Sequence, residues 1–386
     1  MERGDSVFYL YGDVVTEGKV LPGRYVEVSG EKITDISREM NHQAPVLSVD
    51  GYICPGFIDV HIHGIDGVDV MDDRSDGIEA VASKLPTYGV TSFLATTRTA
   101  SLQDITSMLE KARQFQQHYT GSRFLGVHLE GPWISSAYKG AQPEAFIQKL
   151  SWEDVHSLLE PYKNVIRKIT LAPEEVSDIN ILDYIRQFGF ELSAGHTNAT
   201  MEELEKAIKH GLNQVTHMFN AMSGLHHREP GVVGTALYHP ELFCELIADG
   251  LHVHPRMIEL LYRIKGKERL VLISDCTGYN HLLDGDYYFR GKHLVKDGNK
   301  VTLRNGQLAG SASTLNDCVR FVVNHCHIPL EDAVFMATEA PLNMIGETRS
   351  VGKVKIGYQA DLVVLDRDLH VERTYIAGDL YYERGK

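Results

Sequence analysis

The sequence predicts a (β/α)8 barrel together with a small β-sandwich domain formed by both termini. Eight short apolar runs alternate with helical patterns along the middle of the chain. A His, Asp or Glu residue follows most of these runs, at the position where barrel enzymes carry their active sites. With 386 residues, the chain has room for a barrel of about 250 residues and an accessory domain.

The two ends of the chain share a sequence pattern that predicts the β domain. Short apolar runs separated by glycine-containing turns occupy residues 7–49, and the same pattern returns from Gly352 to Tyr382. Because a long middle segment with a different sequence pattern separates them, we expect one small domain from residues 1–54 and 349–386. The barrel would then be inserted between them, over residues 55–348.

The middle of the chain contains eight candidate strands and the helices that connect them. The predicted strands are residues 57–61, 91–97, 124–129, 169–172, 190–194, 214–216, 244–248 and 270–274. The helical patterns are residues 76–88, 102–118, 152–162, 179–188, 201–210 and 255–264, several of them preceded by Ser, Asp or Thr as an N-cap.

Composition and charge limit the class of function. The net charge of −14, with no run of Lys or Arg, argues against a nucleic-acid partner and against an anionic membrane. The five cysteines are scattered and never spaced as C-x-x-C, so neither a disulfide framework nor a zinc knuckle is indicated. No signal-peptide pattern and no membrane-spanning apolar stretch is visible. We therefore expect a cytoplasmic protein.

The segment from Pro55 to Gly64 contains the first candidate metal ligands. Its apolar residues predict a buried strand, and side chains two positions apart on a strand share a face. His61 and His63 are therefore expected to point the same way and could hold one metal ion. Alone, a His-x-His pair is more often two satisfied polar side chains than a metal site.

Polar groups at later strand ends strengthen the metal interpretation. Glu130 follows the third predicted strand, His196 the fifth, His217 the sixth and Asp275 the eighth. Nitrogen and carboxylate ligands without thiolates suit Zn, Fe, Mn or Co in an open site rather than a closed structural zinc site. Such an ion activates water, and Asp275 beside it could move a proton, which is the chemistry of metal-assisted hydrolysis.

Several motifs resemble those of the amidohydrolase superfamily, whose members carry a metal-dependent barrel and a small β-sandwich. Within it, the likeness is to the enzymes that deacetylate phosphorylated amino sugars, and it covers essentially the whole chain. The segments that carry it are Pro55–Gly64, His128–Pro132, Gly195–Ala199, Thr216–Met222, Arg228–Gly231, Asp249–His252, Leu308–Ser311 and the closing Gly357–Leu365.

The resemblance implies a role for each matching residue. It makes Glu130, His196 and His217 the main metal ligands and Asp275 the catalytic acid and base, while His61 and His63 keep a second ion possible. The cofactor would be one or two divalent ions, the substrate a phosphorylated amino sugar, and the assembly a homodimer. The implied substrate contacts are Ala141, Gln142, Asn220, Ala221, Arg228, His252, Leu308, Ala309 and Gly310.

Two positions depart from the superfamily pattern. Many relatives have His where this chain has Gln142, a position that polarises the acetyl carbonyl. An amide can donate a hydrogen bond but cannot become cationic. Cys276 follows the catalytic aspartate where a small apolar residue is more usual.

Rival interpretations concern the reaction rather than the fold. Another barrel amidohydrolase, such as an N-acyl-D-amino-acid deacylase, a cyclic-amide hydrolase or a deaminase, would share the ligands. Cyclic-amide hydrolases typically need a carboxylated Lys after the fourth strand, and Leu171–Glu174 offers none. A binding protein that had lost its metals would show gaps among the ligands, and none is visible.

Overall fold

A computed structural model describes residues 7–115, 121–289 and 292–386. Its strands are β1 (Val7–Thr16), β2 (Lys19–Ser29), β3 (Lys32–Ser37), β4 (Val46–Pro55), β5 (Phe57–Ile62), β6 (Gly64–Ile65), β7 (Val68–Asp69), β8 (Val90–Thr96), β9 (Arg123–Glu130), β10 (Ile166–Leu171), β11 (Glu191–Ala194), β12 (Gln214–Val215), β13 (Phe243–Ile247), β14 (Leu270–Ile273), β15 (Gly285–Phe289), β16 (Lys292–Asp297), β17 (Lys300–Leu303), β18 (Leu362–Asp366), β19 (Val371–Ile376) and β20 (Asp379–Glu383). Its α-helices are α1 (Gly77–Lys84), α2 (Leu102–Phe115), α3 (Trp152–Asp154), α4 (Asn180–Arg186), α5 (Met201–Lys209), α6 (Gly231–Tyr238), α7 (Pro255–Lys265), α8 (Leu315–His325), α9 (Leu330–Met336) and α10 (Glu339–Met344).

Eight parallel strands form the barrel, in the order β5-β8-β9-β10-β11-β12-β13-β14. The eight apolar runs predicted as barrel strands are thus confirmed, with ends that differ by at most three residues. Hydrogen bonds at the carboxyl end join the last strand to the first: the Asp275 amide donates to the His61 carbonyl at 2.9 Å, and the His63 amide donates to the Cys276 carbonyl at 2.9 Å. These bonds bring the ends of β5 and β14 together.

Two apolar clusters sit on opposite faces of the barrel strands. One contains Val60, Leu94, Phe243 and Val271 together with side chains of α10, which closes the amino end of the barrel. The other and larger cluster lies between the strands and the surrounding helices. Strands buried on both faces need apolar side chains at nearly every position, which explains why they appear as continuous apolar runs in the sequence.

A register shift in β5 aims the two histidines of that strand. Ile58 and Val60 belong to the inner cluster, whereas Ile62 packs in the outer one. Between them the pairing of β5 with β8 shifts register, between Asp59 and Ile62. An irregularity of this kind re-aims side chains beside it. His61 and His63 therefore share a side, as predicted, and their ring centroids lie 5.4 Å apart.

Strands from both termini build one seven-stranded sheet, in the order β20-β19-β18-β4-β1-β2-β3. All neighbours in it are antiparallel except β1 and β4, which run parallel. This confirms the predicted second domain from both ends of the chain, while its exact boundaries stay a prediction.

In the described part of the chain, the helices are too short or too polar to cross a membrane.

The helices match their predicted positions with local differences. Residues 76–88 form α1 followed by a tighter 3-10 turn, and residues 152–162 form the short α3 followed by a wider π turn. Of the pattern predicted over 102–118, the structure describes α2 to its end at Phe115, and residues 116–118 lie outside the described range. The three-stranded sheet β15-β16-β17 was not predicted.

Candidate metal centre and active site

A cavity of about 460 Å³ opens at the carboxyl ends of the barrel strands. Asp275, His63, Glu130, His196 and His217 line it, and His61 is completely buried beneath it. Eight of the nine predicted substrate contacts also line it, namely Ala141, Gln142, Asn220, Ala221, His252, Leu308, Ala309 and Gly310. The barrel therefore brings together residues that are far apart in the sequence.

The potential ligands form two groups. In one, ligand atoms of His61, His63 and Asp275 lie within 4.8 Å of one another. In the other, Glu130, His196 and His217 meet the same criterion.

Glu130 lies between the two groups. Its Oε1 atom is 3.2 Å from His217 Nε2 and 3.3 Å from His196 Nε2. The same oxygen is 3.4 Å from His61 Nε2, and Oε2 is 3.4 Å from His63 Nε2. One carboxylate could thus serve both groups.

Each of the four imidazoles is held through its Nδ1 atom. Backbone carbonyls face three of them: that of Thr96 at 3.1 Å from His63, that of Tyr138 at 2.9 Å from His196, and that of Asn220 at 3.1 Å from His217. The fourth, His61, has the Glu245 carboxylate 3.0 Å from its Nδ1. A carbonyl or carboxylate acceptor keeps the proton on Nδ1, which leaves Nε2 as the ligand atom.

The donor set fits a divalent ion. His61 Nε2 is buried and has no hydrogen-bond partner among the described residues, although carboxylate oxygens surround it. Burial alone would lower the pKa of His63, but the carboxylates of Asp275 and Glu130 raise that pKa to about 9. The centre therefore favours positive charge, and its nitrogen and oxygen donors are those that Zn, Fe, Mn and Co accept.

Three of the candidate residues have a strained backbone. His196, His217 and Asp275 have φ angles of +48°, +31° and +48°, in the left-handed region that side chains rarely adopt. Such strain is costly and clusters at functional sites, where the surrounding structure enforces it. The turn at the end of each strand is thus shaped to present these side chains to the cavity.

Gln142 contacts the centre directly. Its Nε2 donates to Glu130 Oε2 at 2.7 Å, and its Oε1 accepts from the Thr99 amide at 3.0 Å. The backbone amide fixes the orientation of the side chain, so that the NH2 group faces the carboxylate. In this arrangement Gln142 holds Glu130.

His252 is paired with Asp249 at the cavity wall. Its Nδ1 lies 2.8 Å from Asp249 Oδ2, and Asp249 Oδ1 accepts from the backbone amides of Leu251 and His252 at 2.9 Å. Burial alone would lower the pKa of His252, but the Asp249 carboxylate raises it above its ordinary value. The Asp249 carboxylate therefore stabilises the cationic form of His252.

Arg228 is the predicted substrate contact that does not line this cavity. Its side chain is exposed, and its Nη1 lies 2.7 Å from His227 Nε2. Arg98 lines the cavity instead and forms an ion pair with Asp69 at 2.5 Å. The role of Arg228 stays a prediction.

Sequence reasoning missed Arg98 and Glu245. Arg98 follows β8 at the carboxyl end of the barrel, and this position is the signal that could have found it. Glu245 sits inside the apolar run Phe243–Ile247, where a charged residue on a buried strand is unusual and needs a partner.

A barrel with His and carboxylate ligands at its strand ends defines the class of barrel hydrolases that hold divalent ions. The Amidohydrolase family matches residues 52–381, and the chain belongs to that family. Over 380 residues the chain is 36% identical to an N-acetylglucosamine-6-phosphate deacetylase of Bacillus subtilis, covering 96% of this chain and 95% of that protein.

Two further relatives extend the comparison. An N-acetylgalactosamine-6-phosphate deacetylase of Escherichia coli O157:H7 is 36% identical over 329 residues, which are 85% of this chain and 87% of that protein. The crystal structure of an N-acetylglucosamine-6-phosphate deacetylase from Pasteurella multocida superposes with a TM-score of 0.91 at 29% identity, covering 97% of this chain and 99% of that one.

Proposed function

We propose that the protein is a metal-dependent deacetylase that hydrolyses N-acetyl-D-glucosamine 6-phosphate to D-glucosamine 6-phosphate and acetate. The observation that carries the reaction is the complete set of ligands, Glu130, His196 and His217, facing the same cavity as Asp275. The substrate class follows from relatives that match nearly the whole chain.

The residues that would hold the cofactor fall into the two groups described above. Glu130, His196 and His217 would hold one ion, and His61, His63 and Asp275 a second, with Glu130 between them. We propose Zn, Fe, Mn or Co as the ion. When bound there, a divalent ion would supply a Lewis acid for the amide carbonyl and would lower the pKa of water to about 7.

Asp275 is proposed to carry the proton. Burial alone would raise its pKa, but His61 and His63 hold it below its ordinary value. At neutral pH the side chain is therefore a carboxylate that can accept a proton from the attacking water. It then delivers that proton to the amide nitrogen, which leaves as an amine.

Substrate binding is assigned to the remaining cavity residues. Asn220 and Ala221 are proposed to contact phosphate oxygens, for which the Asn220 backbone amide would release its bond to the His217 carbonyl at 3.0 Å. The cationic form of His252 adds positive charge. Gln142 holds Glu130 with one N–H of its amide, and the second N–H on the same nitrogen can donate to the acetamide. The same assignment extends to Ala141, to the segment from Leu308 to Gly310, and to Arg228 as a phosphate contact.

A second candidate substrate is N-acetyl-D-galactosamine 6-phosphate. It differs from the first only in the configuration at one ring carbon, and the relative that bears its name is as similar to this chain as the first relative, at 36% identity. An N-acyl-D-amino-acid deacylase is the alternative outside the sugars.

Acetate release by metal-reconstituted protein tests the proposal. The panel contains both phosphorylated sugars, N-acetylglucosamine without phosphate, and an N-acetyl-D-amino acid. We expect the highest kcat/KM on N-acetylglucosamine 6-phosphate. Preference for the galactose epimer would replace the substrate but keep the reaction, and turnover of the amino acid alone would contradict the proposal.

We also propose that the enzyme works in the cytoplasm as a homodimer. All five cysteines are buried and unpaired, as expected in a reducing compartment. The homodimer rests on the likeness to the superfamily alone. Sedimentation velocity at micromolar concentration would test it, and a single species of 43.2 kDa would contradict it.

A further inference from the structure

A pair of fully buried charges lies inside the barrel below the candidate metal centre. Glu245 on β13 and Lys168 on β10 are both 0% exposed. Phe243 and Ile247, two positions before and after Glu245, belong to the inner cluster, and Ile247 also lines the cavity. Because alternate residues of a strand share a face, Glu245 points into the barrel as they do.

Both carboxylate oxygens of Glu245 are engaged. Oε1 accepts from the Lys168 ammonium. Oε2 lies 3.0 Å from His61 Nδ1 and 3.4 Å from the His217 backbone amide, which donates to it. With both oxygens held, the carboxylate cannot rotate away from His61. It therefore supports the ring of His61 from the side opposite to the cavity.

His61 differs from the other three imidazoles in this support. A neutral backbone carbonyl faces Nδ1 of His63, His196 and His217. A charged carboxylate faces Nδ1 of His61. A carboxylate acceptor holds the Nδ1 proton more firmly and makes Nε2 a stronger electron-pair donor than a carbonyl does.

Lys168 makes the buried carboxylate possible. An unpaired charge inside a protein costs several kcal/mol, whereas a paired and hydrogen-bonded one is tolerated. The neighbouring inward side chains are also satisfied, since His128 lies 2.7 Å from Thr170 Oγ1 and 3.3 Å from Thr96 Oγ1. The group facing His61 is thus a carboxylate of fixed charge and fixed orientation.

We propose that Glu245, with Lys168 as its counter-charge, is a positioning residue that fixes His61 and thereby sets the affinity of the His61, His63 and Asp275 group for its ion. This inference rests on the metal dependence proposed above. The Glu130, His196 and His217 group depends on it much less, because carbonyls hold its rings. Glu245 thus makes the two ligand groups differ in their affinity for an ion.

Metal content at buffered free Zn²⁺ tests this inference. The apoprotein is equilibrated over a range of free Zn²⁺ concentrations. Bound zinc per subunit and the melting temperature are measured at each concentration. For the wild type we expect two binding steps. In Glu245→Gln we expect one of the two steps to shift to 10–100-fold higher free Zn²⁺, with the other shifted much less.

Two further variants separate positioning from damage to the fold. Glu259→Gln on α7 is the matched control, since Glu259 is also largely buried and paired with Arg256. We expect it to leave both steps unchanged. The double variant Lys168→Met with Glu245→Gln removes both charges and leaves no unpaired Lys. We expect it to shift the same step as Glu245→Gln does.

Each outcome decides the inference. Equal shifts of both steps, or wild-type binding in the double variant, would overturn it. A wild type that binds one ion only yet releases acetate would overturn it and leave the proposed reaction intact. A selective shift in a protein that releases no acetate would support the positioning role and contradict the proposed function.

Discussion

The position and direction of each side chain in this site depend on its contacts and backbone conformation, which the residue type alone does not specify. Asp275, for example, has a left-handed backbone and lies 3.3 Å from His61 Nε2 and 3.2 Å from His63 Nε2. The type of side chain supplies the chemistry, and the strained turn after β14 supplies the direction. The role proposed for Asp275 therefore depends on the charge of its carboxylate.

Replacing Asp275 by Asn should abolish most of the turnover. The amide cannot accept the proton of the attacking water, so we expect kcat for acetate release to fall by about 10²–10⁴-fold. The ion held by Glu130, His196 and His217 should stay bound, as zinc analysis would report. Asp286→Asn, at an exposed position of β15, is the control. A near-normal kcat in Asp275→Asn would remove Asp275 from the mechanism.

The pairing of His252 with Asp249 predicts a pH dependence of substrate binding. The pKa of His252 is raised, so the cation is present below that pKa and is lost as the pH rises through it. KM for the phosphorylated sugar should therefore rise as the pH passes through the raised pKa, by roughly tenfold if one charge-assisted contact is lost.

Asp249→Asn should lower the pKa of His252 and move this rise in KM to lower pH. The measurement is KM against pH for both proteins, with N-acetylglucosamine lacking phosphate as the control substrate. That control should show a weaker dependence. Identical pH profiles of KM in the wild type and in Asp249→Asn would argue that His252 does not read the phosphate.

At the scale of elements, the insertion after β14 forms one wall of the cavity. Leu294 of β16 and Val301 of β17 pack with Tyr279, Ala309 and Ala312 in a small apolar cluster. The chain then returns through residues 307–310, which line the cavity. The small sheet is thus the support on which this segment rests.

Gly310→Ala should disturb that wall. Gly310 has φ +86°, and an added Cβ would lie 2.4 Å from Thr277 Cγ2, another cavity residue. We expect a fall in kcat/KM together with a loss of roughly 1–2 kcal/mol in stability. Gly306→Ala is the matched control, because Gly306 has φ +83° and nothing within 4 Å of the added atom.

Measuring both glycine variants separates backbone strain from displacement of the wall. Gly306→Ala should lower the melting temperature by a similar amount and leave kcat/KM unchanged. If both variants lose activity equally, strain in the loop rather than the contact with Thr277 would be responsible.

On the scale of the whole molecule, an ion pair joins the barrel to the terminal sheet. Arg123 at the start of β9 contacts Asp361, just before β18, with Nε 2.8 Å from Oδ2 and Nη2 3.2 Å from Oδ1. The Asp361 side chain is 1% exposed, and its Oδ1 also accepts from the Ala377 amide at 2.7 Å. One buried carboxylate thus connects both parts of the fold.

Asp361→Asn should destabilise the protein without changing its chemistry. The substitution removes the buried negative charge that pairs with Arg123, and we expect a loss of about 3 kcal/mol, measured as a lower melting temperature. KM and kcat should stay close to wild type. Asp76→Asn breaks an exposed pair with Arg74 and serves as the control, with no measurable change expected. An unchanged melting temperature in Asp361→Asn would contradict this role.

The sequence by itself determined the barrel, the sheet from both termini and the His and carboxylate side chains at the strand ends. These features are local, since an apolar run marks each strand and the residue after it marks the cavity. His61 and His63 could be placed on one side from their spacing alone. The small sheet β15-β16-β17 escaped prediction because it is an insertion, and no regular alternation of strand and helix requires it.

Tertiary structure alone decided which groups touch. His61 and Glu245 are 184 positions apart in the sequence and 3.0 Å apart in space. Their contact depends on barrel radius, strand register and the shift within β5, none of which a local pattern encodes. The resemblance implied Arg228 as a substrate contact, which stays a prediction, and only the structure showed that Arg98 lines the cavity. Patterns identify elements and residue types, whereas contacts arise only when the whole barrel closes.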